Sequence, residues 1–255
     1  MTARRSVTAA LAAGLTLFLT GCADSATPSA SASLSEPAAS PPPATATSSP
    51  PASTTGATPT DSTAPSSAAP TPTPDADPRT DSAALSIPGI GLTDLEIVPY
   101  EGTTDDMPGT VIQNEGVGAS PHGDDGGVGP GEIGNYLVTA HRLSAGGPLR
   151  DLPDLAEGDP VTVEFGGVIY TYEITETRET SFRTPSSLEE QRAPVPGEPG
   201  RTPTQAMITV STCATPEDDA AGNFWRDEMG NPEHRIDKIG VLVETAAVSG
   251  ADQAS

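Results

Sequence analysis

The sequence has few cysteines, few aromatic residues and few positive charges. Of its 255 residues, 12 are Lys or Arg and 35 are Asp or Glu, which gives a formal net charge of −23. Nucleic acids are bound by clustered cations, so no nucleic-acid partner is expected for so acidic a chain. The two cysteines, Cys22 and Cys213, lie in segments of opposite character, which favours two separate roles over a disulfide between them.

The N-terminal apolar run, residues 7–19, is too short to span a bilayer comfortably and follows Arg4 and Arg5. This pattern is typical of an export signal. The run ends in Leu19-Thr20-Gly21-Cys22, which resembles the lipobox of bacterial lipoproteins. It predicts a signal peptide over residues 1–21 and a lipidated Cys22 that anchors the chain on the outer face of the cell membrane. The alternative is an ordinary secretory signal with a chance cysteine near its end.

Proline, serine, threonine and alanine dominate residues 23 to about 79. Such a composition cannot bury a core and is typical of a semi-flexible spacer. We therefore expect residues 22–82 to be a disordered linker, residues 83–248 to form the folded domain, and residues 249–255 to be a disordered tail.

The folded domain contains short β-branched segments separated by Gly, Pro and Asp clusters, a pattern that indicates an all-β barrel or sandwich. A short helix is predicted around residues 148–155. Two loops, residues 123–134 and 184–204, are expected to be mobile, and the second is well placed to form a wall of a substrate site. The predicted strands are residues 84–87, 95–100, 136–140, 161–165, 168–177, 208–212 and 239–243.

Cys213 lies at the C-terminal end of a predicted buried strand, after Ser211 and Thr212. A strand holds the backbone of its last residue in place, which suits a thiol that must attack a bound carbonyl. The alternative is an unreactive core cysteine, because free cysteines are among the most buried residues.

A nucleophilic cysteine needs a base, and the chain has three histidines. His141 ends a predicted strand and is the best candidate, since it can be held against a cysteine at another strand end. His234 is a second choice. His122 lies in a segment of Gly and Asp with nothing to fix an imidazole, and is expected to be solvated.

Acyl transfer also places negative charge on the carbonyl oxygen, which a fixed cation would stabilise. Arg235 opens the segment 235–243, which contains the last predicted strand, and is the first candidate, with Arg226 as its rival. An ordinary surface salt bridge is the alternative role for either residue.

Four motifs in order resemble the sortases, the bacterial cysteine transpeptidases, and most of all class E sortases of actinobacteria. Thr209-Val210-Ser211-Thr212-Cys213 is similar to the family's Thr-Leu-x-Thr-Cys, with Val in place of Leu. Gly134-Asn135-Tyr136-Leu137-Val138-Thr139-Ala140-His141 is similar to the motif that carries the family's histidine. Residues 147–161 resemble the family's short helix and the Gly-Asp turn that follows it. Residues 87–91 resemble the family's first strand.

The resemblance implies a closed eight-stranded β-barrel with one or two short helices, in which Cys213, His141 and Arg235 are catalytic. It also implies that the protein cleaves a Leu-(Pro/Ala)-x-Thr-Gly sorting signal of secreted proteins between Thr and Gly and transfers them to an amine of a peptidoglycan precursor. No cofactor and no metal is expected. The neighbouring residues expected to bind substrate are Thr139, Ala140, Ser211 and Thr212.

Three features bear on this interpretation. Sortases usually anchor through a transmembrane helix, whereas this chain carries a lipobox-like motif, and a segment containing Trp225 separates Cys213 from Arg235. The Asp-Pro-aromatic lid of pilin-building sortases is absent, which favours attachment of proteins to the cell wall.

Two other functions are alternatives to a sortase. One is an L,D-transpeptidase, whose motif has Gly before the cysteine and Arg two residues after it. The other is a lipid-anchored binding protein with a non-catalytic sortase-like barrel.

Overall fold

A computed structural model of the chain describes residues 75–248, within which eight strands close into a barrel in the order β1-β2-β3-β4-β7-β8-β6-β5. This confirms the predicted closed β-barrel. The predicted signal peptide, Cys22, the linker up to residue 74 and the tail at 249–255 lie outside the described residues. The strands are β1 (Ala83–Ile87), β2 (Leu92–Glu101), β3 (Gly118–His122), β4 (Gly134–Thr139), β5 (Pro160–Phe165), β6 (Val168–Ser181), β7 (Ala206–Cys213) and β8 (His234–Ala247).

β1, β5 and the first half of β6 bury alternate residues, as expected when one face packs inside a barrel and the other meets solvent. β4 and β7 differ, because β4 and all but the last residue of β7 are buried. Tyr136 and Ile208 of these strands belong to the apolar core. On the outer face, Asn135 donates a hydrogen bond to the Gln191 carbonyl and Thr139 accepts one from Gln113. Helices therefore cover the outside of these two strands.

The described residues contain three short α-helices, α1 (Met107–Gln113), α2 (Pro185–Arg192) and α3 (Thr215–Ala220). None of them was predicted, and α2 occupies part of the expected loop at 184–204. The helix predicted around residues 148–155 is instead a series of turns that includes the 3-10 helix Leu152–Asp154. The other 3-10 helix, Pro88–Ile90, follows β1.

β3 is the strand that the sequence analysis missed. Its sequence, Gly-Ala-Ser-Pro-His, has no β-branched residue, so local propensity gives no strand signal. It pairs in parallel with β2 and places His122 opposite Glu101. The backbone of His122 therefore belongs to a strand instead of the predicted loop, and the solvation of its imidazole stays a prediction.

Two segments expected to be linker or loop make defined contacts with the barrel. Residues 75–82 form turns, in which Ala76 packs against the apolar core and Arg79 pairs with Glu132 at 3.0 Å. In the glycine-rich segment 123–134, the Gly131 N–H donates to the Tyr172 hydroxyl at 2.8 Å. No helix within residues 75–248 is long and apolar enough to cross a membrane.

Candidate active site

Strand register brings three predicted side chains to one end of the barrel. β4 runs parallel to β7 with Thr139 opposite Ser211, so both strands end at the same edge. His141 and Cys213 each lie two residues beyond that pair. β8 runs antiparallel to β7 and begins where β7 ends, so that Arg235 is directly opposite Cys213. Three chain segments far apart in sequence thus deliver a thiol, an imidazole and a guanidinium to one place.

Arg235 is 1% exposed, and its guanidinium lies 4.0 Å from the centre of the Phe182 ring. Its Nε donates to Asp105 Oδ1 at 3.2 Å. Its Nη1 donates to the carbonyl oxygens of Pro232 at 3.0 Å and His234 at 3.2 Å. Nη2 is buried without a hydrogen-bond partner among residues 75–248. Burial is the largest single influence on the pKa of Arg235 and lowers it, but Asp105, Cys213 and Asp227 together raise the pKa above its ordinary value, so Arg235 stays cationic.

His141 is half-buried and is oriented by Asn114, the residue that follows α1, through a 2.9 Å bond between Nε2 and Oδ1. Burial lowers the pKa of His141, the positive charge of Arg235 lowers it further, and Asp105 opposes both effects. If Nε2–H donates to Asn114, the neutral ring keeps the Nδ1 lone pair for a proton.

Cys213 is partly exposed and is a free thiol. Burial raises the pKa of this thiol, and the positive charge of Arg235 opposes the rise. The resting site at neutral pH therefore contains mostly thiol and neutral imidazole. Arg142 fixes the backbone here, since its Nη1 donates to the Cys213 carbonyl at 3.3 Å while the guanidinium pairs with Glu217 at 3.1 Å.

The four residues expected to bind substrate are each 2% exposed in this structure. The Ala140 N–H donates to the Ser211 carbonyl, and the Thr212 hydroxyl donates to the Ala140 carbonyl at 2.8 Å. The Thr139 hydroxyl donates to the Ala119 carbonyl. The Ala140 backbone and the Thr212 side chain join the segments that carry His141 and Cys213, whereas Thr139 joins β4 to β3. Contact of these four residues with a substrate stays a prediction.

A buried polar network supports the cysteine strand from outside the barrel. Gln191 of α2 donates from Nε2 to Asp237 Oδ1 at 3.0 Å and to Ser211 Oγ at 3.3 Å. Its Oε1 accepts from the Thr104 hydroxyl at 2.9 Å. The network ties α2 and the loop before α1 to β7 and β8. Gln191 gave no signal in the sequence, because its partners are all distant along the chain.

The structure places the rival arginine and the second-choice histidine elsewhere. Arg226 donates to the Trp225 carbonyl at 2.7 Å and pairs with Asp219 near the surface. His234 precedes Arg235 on β8, so its side chain lies on the opposite face of the strand. Its Nδ1 bonds to Asp218 Oδ1 at 2.6 Å.

Residues 75–248 contain no group of three or more His, Cys, Asp or Glu side chains that could hold a metal ion.

Comparison with known proteins decides the family. A sortase-domain family model matches residues 85–224, which is more than half of the chain. The chain belongs to the sortase family. It is therefore a cysteine transpeptidase. The family model covers His141 and Cys213 but ends before Arg235, and the catalytic roles of these three residues stay predictions.

Solved sortase structures share this barrel. Sortase E1 of Streptomyces coelicolor, solved with a tripeptide in its active site, is 24% identical with a TM-score of 0.51, covering 70% of this chain and 98% of that one. Sortase E of Streptomyces avermitilis is 24% identical with a TM-score of 0.50, covering 70% and 97%. The SrtA sortase of Actinomyces oris is 21% identical with a TM-score of 0.50, covering 69% and 91%. No curated protein sequence matches the chain.

Proposed function

We propose that this sortase cleaves a Leu-(Pro/Ala)-x-Thr-Gly-type sorting signal between Thr and Gly and transfers the secreted protein to an amine of a peptidoglycan precursor. The observation that carries the proposal is the pairing of Cys213 with the buried Arg235 on adjacent strands. The sorting-signal class and the acceptor rest on the resemblance of the sequence motifs to those of sortases.

In the first step the Cys213 thiolate attacks the threonine carbonyl and a tetrahedral intermediate forms. The Arg235 guanidinium stabilises the oxygen on which charge develops, and its unpartnered Nη2 is the donor available for this contact. Protonated His141 then gives its proton to the leaving glycine amine, and the carbon–nitrogen bond breaks. A thioester on Cys213 remains.

In the second step an incoming amine attacks the thioester and loses a proton to neutral His141, and the Cys213 thiolate leaves. One amide replaces another, so the reaction needs no external energy source. The reactive thiolate–imidazolium form is a minor species, because burial raises the pKa of Cys213 and lowers that of His141. The fraction of this form is greatest between those two pKa values, which predicts a bell-shaped dependence of the reaction rate on pH.

The direct test incubates the full-length protein with Leu-Pro-x-Thr-Gly and Leu-Ala-x-Thr-Gly peptides, with and without an amine acceptor. We expect a mass adduct on the Cys213 peptide that disappears when the acceptor is added. Scrambled peptides with the same composition are the control. Binding of either signal peptide without any adduct would favour the alternative of a non-catalytic, lipid-anchored binding protein.

We also propose that Cys22 is the lipidated N-terminus of the mature protein and holds it on the outer face of the cell membrane. Cys22→Ala should release the protein from the membrane fraction and block processing after residue 21. Thr20→Ala leaves the cysteine in place and is the matched control. If the Cys22→Ala protein is as membrane-bound and as fully processed as the unmodified chain, the lipidation proposal is wrong.

A further inference from the structure

Asp105 is the only acidic side chain in hydrogen-bond contact with Arg235 among residues 75–248, and the sequence analysis did not identify it. Its Oδ1 accepts the Nε–H of Arg235 at 3.2 Å, and the two side chains are 8% and 1% exposed. An ion pair that is shielded from water holds its geometry more firmly than a surface pair, because water does not compete for the donors.

The backbone of Asp105 has a positive φ of 59°, which is uncommon for any residue other than glycine. Such a conformation persists only where the surroundings impose it, and it is concentrated at functional sites. Contacts on both sides of Asp105 impose it here. Arg192 of α2 donates to the Thr104 hydroxyl at 3.0 Å and carbonyl at 3.3 Å. On the other side, Asp106 accepts the Gly109 N–H at 2.8 Å and caps α1.

The hydrogen bonds of Arg235 divide its five N–H groups into two sets. Asp105 and the carbonyls of Pro232 and His234 occupy Nε and Nη1. Nη2, which is also buried, keeps its hydrogens free of protein partners among the described residues. Since the guanidinium is planar and rigid, holding Nε and Nη1 also fixes the direction of Nη2.

We propose that Asp105 is a positioning residue of this sortase, which holds Arg235 through Nε so that Nη2 meets the oxygen that gains charge during acyl transfer. The inference rests on the proposed role of Arg235 and adds to it a residue outside the sortase motifs found in the sequence. Asp105 acts through Arg235 and does not itself contact the substrate.

The carboxylate also sets the charge of the site. Burial is the largest influence on both neighbouring groups, and it raises the pKa of Cys213 and lowers that of His141; the charge of Asp105 acts to raise both pKa values and the charge of Arg235 to lower both. The other charged groups that act on the thiol are Asp227, from the segment before β8, and Arg142, which follows β4. Removing the charge of Asp105 should therefore move both limbs of the pH profile toward lower pH.

The test compares Asp105→Asn, Asp105→Gly and the control Asp106→Asn in the full-length protein. Asparagine keeps an acceptor oxygen and tolerates positive φ, whereas glycine tolerates the backbone but removes the side chain. The control removes a neighbouring charge that makes no contact with Arg235, and asparagine is as good a helix N-cap as aspartate, so its Oδ1 still accepts the Gly109 N–H beside Asp105. Two readouts are taken: kcat and KM for the signal peptide, and the pH dependence of Cys213 alkylation by iodoacetamide. Thermal unfolding shows whether each variant is folded.

For Asp105→Gly we expect kcat to fall on the order of 10²-fold with little change in KM, because a misplaced donor affects the transition state more than the bound peptide. Asp105→Asn should recover most of that loss, within about tenfold of the unmodified protein, because its oxygen still accepts the Nε–H. The pH midpoint of Cys213 alkylation should nevertheless be lower in Asp105→Asn than in the unmodified protein, whereas the midpoint in Asp106→Asn should be unchanged. A purely structural role for Asp105 would not move this midpoint.

Two results would overturn the inference. Turnover by Asp105→Gly equal to or above that of the unmodified protein would show that Asp105 is dispensable or restrains Arg235 instead of positioning it. An alkylation midpoint of Asp105→Asn that matches Asp106→Asn would show that the carboxylate does not act on the thiol. If the unmodified protein forms no thioester, the proposed function fails, and the alkylation profiles still test the coupling between Asp105 and Cys213.

Discussion

Cys213→Ala should form no thioester with any sorting-signal peptide, and peptide transfer should fall to background. Loss of a covalent nucleophile typically costs about 10⁵- to 10⁶-fold in kcat, because binding and charge stabilisation alone cannot replace the bond to the carbonyl carbon. The barrel should remain intact, since the thiol is at the end of β7 and is only partly buried. The measurement is intact-protein mass after incubation with peptide, together with the amount of transferred product.

Peptide binding by Cys213→Ala provides the internal control for that experiment. The variant keeps Arg235 and the barrel, so it should bind the signal peptide with nearly unchanged affinity by fluorescence titration. His122→Ala, which changes a histidine on β3, is the matched control for turnover and should stay near the level of the unmodified protein. Continued transfer by Cys213→Ala would overturn the entire mechanism.

Arg235→Lys should bind the signal peptide but acylate Cys213 about 10²- to 10³-fold more slowly. Lysine keeps the positive charge but loses the planar fork, so it cannot contact Asp105, the Pro232 carbonyl and a substrate oxygen in fixed directions at once. Single-turnover acylation followed by mass spectrometry separates this slow step from peptide binding.

Arg226→Lys is the matched control for Arg235→Lys. Arg226 is held by the Trp225 carbonyl and Asp219 near the surface, and its replacement should leave acylation within about twofold of the unmodified protein. If Arg226→Lys abolishes acylation and Arg235→Lys does not, the arginine assignment is wrong while the family assignment stands.

Much of the fold could be predicted because local patterns report it directly. Runs such as Tyr136 to Thr139 and Ile208 to Val210 combine apolar and β-branched residues, and these are the strands that pack the barrel core. β3 could not be found in this way, because its Gly-Ala-Ser-Pro-His sequence becomes a strand only by pairing with β2. The helix α2 differs from β3, because it carries local helix signals, with Pro185 in its first turn followed by the helix formers of residues 188–192, which the prediction of a loop over 184–204 overlooked.

The sequence by itself determined that a cysteine and a histidine directly follow predicted strands and that an arginine shortly precedes another, and its motifs indicated the sortase family. Only the tertiary structure placed Arg235 opposite Cys213, through the antiparallel pairing of β7 with β8, and so favoured it over Arg226. Tertiary structure also brought Asp105 to Arg235 across 130 residues of sequence. Local patterns record which face of a strand is buried, whereas contacts between distant strand ends depend on register, and register is settled only when the barrel closes.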